Sequence, residues 1–262
     1  MPEITRKGVQ LFFSQSGEGV PVLFHTGGAG DGRMWQMAGY TDNIGACHQI
    51  LFDHRGHGRS GRPTNVEDHR LEEYVADVIA VLDAVGVDRA VMIGYSFGAS
   101  VVYAAAGAYP DHCSAVVGIG GLRPPDDVSA KRPSIIDRLR ERGTRAIIEE
   151  MAAEEDEPCP TWLVDNLSTT DAEMFALQLE GCLNAATEWE HFSLITAPAL
   201  IVCGELEDDG EAALAASTLV NGTAIVLPGY GHLQAFWHGE VTAPMIRDFL
   251  TSNGLLIDSV RR

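Results

Sequence analysis

The residues best suited to chemistry in this 262-residue chain form one pentapeptide, Gly94-Tyr95-Ser96-Phe97-Gly98. A serine hydroxyl is a poor nucleophile until a base takes its proton, so the pentapeptide matters only in the right surroundings. Those surroundings are present. The apolar run Val91-Met92-Ile93 leads directly into it, and a stretch of small residues from Phe97 to Tyr109 leads out, ended by Pro110. A G-x-S-x-G pattern between a strand and a helix predicts a sharp turn that strains its central residue and needs glycine on both sides for close approach. The hydroxyl of Ser96 would then stand exposed at the sheet edge, with free N–H groups of the next helix aimed at the same point.

The base must be a histidine elsewhere among the nine in the chain. His232 lies in Gly229-Tyr230-Gly231-His232, after the last strand-like run and before the last helical one. A loop that follows a parallel strand returns to the edge expected to hold Ser96. His54 and His57 follow a different strand, and His112 and His191 lie in connecting segments. A histidine base predicts an acid limb in kcat/KM with an apparent pKa of roughly 6–7.

A carboxylate should orient the imidazole and stabilise its charged form. In the chain order Ser, acid, His, it belongs between Ser96 and His232. After Leu200-Ile201-Val202-Cys203 comes Gly204-Glu205-Leu206-Glu207-Asp208-Asp209. Glu207 and Asp208 both fit, while Glu205 and Asp209 read as surface charges. Asp126 and Asp127, after the strand ending at Ile119, are the fallback. The oxyanion formed on an attacked carbonyl needs fixed N–H donors. The N–H of Phe97 is one. The second is expected from Thr26-Gly27-Gly28-Ala29-Gly30, with Gly28 preferred.

The elements that must position these groups alternate along the chain. Strand-like runs fall at Val9–Ser14, Pro21–Phe24, His48–Phe52, Ala90–Gly94, Ala115–Ile119, Ala199–Val202 and Ala224–Leu227. Leu71, Tyr74, Val75, Val78, Leu82 and Val85 share one helical face. Strand and helix in alternation predict an α/β fold, a mostly parallel sheet with helices on both faces. Right-handed crossovers place the strand C-terminal ends on one edge, where α/β sites form. Between Leu122 and Ile195 the strand pattern vanishes and helix formers dominate, with the carboxylates Glu149, Glu150, Glu154, Glu155, Asp156 and Glu157. Residues 1–121 and 196–262 are therefore expected to form the core, and 122–195 a helical cap inserted over the sheet edge.

Composition narrows the partners. The formal net charge of -19 argues against nucleic acid and anionic membrane surfaces. The N-terminus lacks a basic and then apolar signal segment, and no apolar run approaches the ~20 residues of a membrane span. The five cysteines, Cys47, Cys113, Cys159, Cys182 and Cys203, show no metal-ligand spacing and read as reduced thiols of a cytoplasmic protein. No cofactor or metal is expected. A nucleophilic serine of the kind expected at Ser96 would take a small ester-like molecule as its partner, and the sequence does not set an oligomeric state.

Over nearly its whole length the chain resembles the α/β-hydrolase family. His25-Thr26-Gly27-Gly28 is similar to the family's oxyanion segment, and Asp53-His54-Arg55-Gly56-His57-Gly58-Arg59-Ser60 resembles its structural D-x-R-G-x-G-x-S stretch. Ser96 and His232 match its nucleophile and base. Thr26 is an extra residue in the oxyanion loop, which leaves Gly27 as an alternative donor. The acid position three residues after Gly204 is usually Asp in similar proteins and is Glu207 here, so Asp208 competes. Relatives acting on haloalkanes or epoxides carry Asp where this chain has Ser96. The resemblance thus implies a serine hydrolase of carboxylic esters or lactones. Carbon–carbon hydrolases, cofactor-free haloperoxidase-like enzymes and ligand-binding proteins of slow turnover are the alternatives. Trp35, Tyr95, Trp162, Phe175, Phe236 and Trp237 are candidates for the pocket wall.

Overall fold

A computed structural model of the chain describes residues 2–120, 122, 132–183, 185, 188–208 and 210–256. Among these residues, eight strands form one sheet: β1 (Glu3–Arg6), β2 (Val9–Ser16), β3 (Pro21–His25), β4 (His48–Asp53), β5 (Ala90–Tyr95), β6 (Cys113–Ile119), β7 (Ala199–Gly204) and β8 (Gly222–Leu227). Their order is β1-β2-β4-β3-β5-β6-β7-β8. All pairings from β4 to β8 are parallel, whereas β1 and β2 join antiparallel. The alternation reading missed β1, which is four residues long and has no buried side chain.

Every residue of β5 is buried, as a central parallel strand requires. Ala90 and Met92 face one core layer, Val91, Ile93 and Tyr95 the other. Among the described residues, eleven helices accompany the sheet: α1 (Arg33–Met37), α2 (Tyr40–Asn43), α3 (Leu71–Ala84), α4 (Phe97–Ala108), α5 (Arg132–Ala153), α6 (Thr161–Leu167), α7 (Ala172–Gly181), α8 (Glu188–Phe192), α9 (Glu211–Thr218), α10 (Gln234–Trp237) and α11 (Gly239–Ser252). Residues of α3, α4, α8 and α9 pack in the first layer, and those of α1, α2, α10 and α11 in the second. No described helix is long and apolar enough to cross a membrane.

Helices α5 to α8 fall between β6 and β7, in the stretch where strand periodicity disappears. Helix α5 is broken at Gly143, whose φ of +80° suits glycine. The Asp171 carboxylate caps α7 by accepting from the N–H groups of Glu173 (2.9 Å) and Met174 (3.2 Å). Ile148, Met151, Leu167, Phe175 and Leu179 from α5 to α7 share a cavity wall with Ser96. Asp126 and Asp127 lie outside the described residues, as does Asp209.

The Asp53–Ser60 segment braces this frame. Asp53 accepts from the backbone N–H groups of Gly32 and Arg59, both at 2.9 Å. The Arg55 guanidinium is fully buried and makes two bonds to Asp77, at 2.7 and 2.8 Å. A buried pair of this kind is costly to break singly, because the survivor stays desolvated.

Candidate active site

Ser96 stands between the last residue of β5 and the first of α4, with φ +52° and ψ -119°. Only Ser96 and Lys7 among described non-glycine residues have positive φ. Such strain persists only where the surroundings overdetermine it. Here the two flanking glycines allow it. A side chain at Gly94 would overlap the Gly98 carbonyl, and one at Gly98 would overlap the carbonyls of His25 and Thr26. Helix α4 thus packs on the end of β3, and the Ser96 N–H is tied to Ile119 O at 2.8 Å.

His232 arrives from the loop after β8. Its Nε2 lies 3.0 Å from Ser96 Oγ, and its Nδ1 lies 2.6 Å from Glu207 Oε2. The Tyr95 ring stacks on the imidazole with centroids 5.2 Å apart. Burial pushes the imidazole pKa down, but the Glu207 carboxylate more than offsets this, with a smaller contribution from Glu155. The net shift is upward from 6.5.

The acid turn shows why Glu207 rather than Asp208 meets the ring. Residues Glu205–Glu207 form a short 3-10 turn. Glu207 Oε1 accepts from the Gly204 N–H at 3.2 Å, which leaves Oε2 for His232. Asp208 instead accepts from the Ala212 N–H at 2.9 Å, in the first turn of α9. Its carboxylate is committed away from the imidazole. Glu205 is exposed but accepts from the Gly229 N–H at 2.8 Å, joining the acid turn to the histidine loop.

The glycine loop after β3 closes the site from the other side. Among the described residues, the N–H groups of Phe97, Gly27 and Gly28 have no protein acceptor. Gly27 is nearest the nucleophile: a Cβ there would lie 3.4 Å from Ser96 Cβ, whereas one at Gly28 would press on Phe175. The Gly28 carbonyl is 3.0 Å from His57 Nε2. Behind the loop, His25, His54 and His57 are fully buried, and the rings of His54 and His57 lie 3.9 Å apart.

Some contacts had no signal in the spacing of residues. Gly120, with φ +63°, sits under the imidazole, where a Cβ would come within 3.0 Å of it. Glu155 of the helical segment accepts from the N–H groups of Leu233 (2.7 Å) and Gln234 (3.4 Å), and burial raises its pKa. Thr170 and Asn166 accept from the N–H groups of Gly30 (2.8 Å) and Asp31 (3.2 Å). Of the aromatic candidates, Tyr95 and Phe175 line the cavity beside Ser96. Trp35 and Phe236 meet edge to face in the second core layer, Trp162 packs against that layer, and Trp237 is buried with its indole N–H on Glu157. The cavity holds about 240 Å³. Among the described residues, no group of three or more His, Cys, Asp or Glu side chains could hold a metal.

Comparison with known proteins agrees with this architecture. Epoxide hydrolase B of Mycobacterium tuberculosis is 40% identical over 76 residues, 29% of this chain and 21% of that protein. A proline iminopeptidase of Neisseria meningitidis is 26% identical over 219 residues, 81% of this chain and 66% of its own length. The chain thus spans less than two thirds of these curated relatives. Among solved structures, an esterase from Thermogutta terrifontis superposes with a TM-score of 0.82 at 21% identity, covering 97% of this chain and 99% of that one. The enol-lactonase of Burkholderia xenovorans gives 0.81 at 20% identity, covering 95% and 100%. At these identities the two structures share the fold alone. A model of the alpha/beta hydrolase fold family matches residues 20–150, half of the chain, and the chain belongs to that family.

Proposed function

We propose that this protein is a serine hydrolase that cleaves carboxylic-ester or lactone bonds through an acyl-enzyme on Ser96. The observation that carries the reading is the continuous contact Ser96 Oγ to His232 Nε2 and His232 Nδ1 to Glu207, at 3.0 and 2.6 Å, opening on one cavity. Ser96 Oγ attacks the carbonyl carbon while neutral His232 takes its proton. Glu207 holds the ring with Nδ1–H toward the carboxylate and stabilises the imidazolium. The carbonyl oxygen, now an anion, is received by the N–H of Phe97 and by the Gly27–Gly28 segment. His232 gives the proton to the departing alkoxide, water repeats the attack on the acyl group, and Ser96 is released. Residues 122–195 act as a cap that supplies the apolar wall. The same reading takes the protein to be cytoplasmic, in keeping with the thiols of Cys47, Cys113, Cys159 and Cys203, none of which forms a disulfide among the described residues.

The test is covalent labelling. A fluorophosphonate should modify Ser96, as read by peptide mass, and Ser96→Ala should abolish both labelling and ester turnover. Loss of the nucleophile in an unrelated triad enzyme costs on the order of 10⁶ in kcat. Ester hydrolysis surviving in the Ala variant would remove the assignment.

A further inference from the structure

Within the cavity wall, Gln178 stands apart from its neighbours. It lies on α7, is 1% exposed, and neither its Oε1 nor its Nε2 meets a hydrogen-bond partner among the described residues. The amide sits beside the glycine loop: Nε2 would be 3.5 Å from a Cβ placed on Gly28. A glutamine amide offers an acceptor oxygen and two N–H donors on one plane. Buried polar groups are almost always paired, and one that is not calls for an explanation. Away from Ser96 and His232 much of the wall is aliphatic and aromatic, from Leu71, Ile148, Met151, Leu167, Phe175 and Leu179. A leucine would fill the same space without an unmet amide.

From this we infer that Gln178 is the specificity-determining residue of the cavity, and that the substrate carries a neutral polar group with a donor and an acceptor on one edge, such as a primary amide, lactam or urea. Neutrality follows from the lining, which among the described residues includes no Asp, Glu, Lys or Arg, and whose one histidine, His232, is already paired with Glu207. A carboxylate or ammonium there would lose its water without gaining a counter-ion. The cavity apart from Gln178 would suit a plain hydrocarbon group, which would leave the amide unpaired. The inference rests on the serine hydrolase reading for the location of the scissile bond, and on Gln178 itself for the polar group.

Matched pairs test it. Methyl esters of acids ending in CONH₂, with two to four methylene groups, are compared with esters in which CH(CH₃)₂ replaces CONH₂. A second series places the same ends on the alcohol of acetate esters. The wild-type protein is expected to favour the amide member of at least one pair by about 10- to 100-fold in kcat/KM, the range of a neutral hydrogen-bonded pair made or lost. Gln178→Leu should erase or invert that preference and should not lower Tm, because it removes an unpaired amide. An equal preference in Gln178→Leu, or a wild-type preference for the alkyl member in every pair, overturns the inference. The dissociation constants of the same pairs on Ser96→Ala, with and without Gln178→Leu, separate the two readings. Amide selectivity in binding that needs Gln178, in a protein that neither turns over esters nor takes up the fluorophosphonate, would keep the specificity role and discard the hydrolase. Turnover with no selectivity dependent on Gln178 would do the reverse.

Discussion

Acidification should loosen the histidines behind the glycine loop before it affects most carboxylates. His25 and His57 are fully buried, and burial lowers each pKa from 6.5 to about 4. Below pH 6.5 the unfolded chain takes up protons at these positions while the folded one does not, so stability falls as pH drops from 6.5 toward 4. For one such histidine, linkage gives roughly 1.5 kcal/mol lost between pH 6.5 and 5, and about 3 kcal/mol for the two. That is a large share of the ~5–15 kcal/mol of a typical domain. His54 and His69 are also lowered, chiefly by burial, and add to the trend. His232, His238 and Glu155 are shifted upward and oppose it. The assay is urea unfolding followed by tryptophan fluorescence at half-unit steps from pH 7.5 to 5. His57→Gln removes one titrating group, so the slope of stability against pH near 5 should drop by about one proton, ~1.4 kcal/mol per pH unit. Stability that stays flat or rises from pH 6.5 to 5, or a slope unchanged in the variant, would refute the reasoning.

Three further outcomes follow from the site. Glu207→Gln should lower kcat by on the order of 10³–10⁴, since the ring loses its orienting carboxylate, while Asp208→Asn should leave kcat near normal and only weaken the start of α9; steady-state rates of the two variants check the order. The acid limb of kcat/KM should have its midpoint above 6.5, because His232 must be neutral to act and its pKa is raised; a pH profile in a buffer series of constant ionic strength reads this. In Glu207→Gln the residual activity should show that limb moved to lower pH, since burial remains and only the smaller raising influence of Glu155 is left, and the same profile measured on the variant is the check.

How far these arrangements were legible depends on whether the physics was local. The turn at Ser96 was, because Gly94 and Gly98 are demanded by backbone overlaps within a few residues and across one neighbouring strand. The place of His232 followed from the rule that loops after parallel strands share an edge. The acid did not resolve from spacing: Glu207 and Asp208 are separated by which carboxylate the 3-10 turn and the start of α9 each occupy. Gly28 looked the better donor on loop position, yet Gly27 packs nearer Ser96. The aromatic candidates divided, because a large ring serves a core as well as a cavity: Tyr95 and Phe175 line the cavity, and Trp35 and Phe236 went to the core. Gln178, Glu155, Asn166 and Thr170 lie dozens of residues or more from the groups they adjoin, and no periodicity announces them. The short antiparallel β1 was hidden by its mostly polar sequence, with no residue buried.

The bonds from Thr170, Asn166 and Glu155 carry a lesson for protein engineering. Helical insertions of this kind invite exchange between relatives, as interchangeable parts that bring a new pocket to an old catalytic base. Here the part being exchanged also holds the base in shape, through the N–H groups of Gly30 and Asp31 on one side and Leu233 and Gln234 on the other. A chimera that swapped the whole insertion would leave those four backbone donors without their acceptors and would degrade the machinery it meant to reuse. A graft that kept the three side chains and replaced only the cavity-facing positions would retain that support.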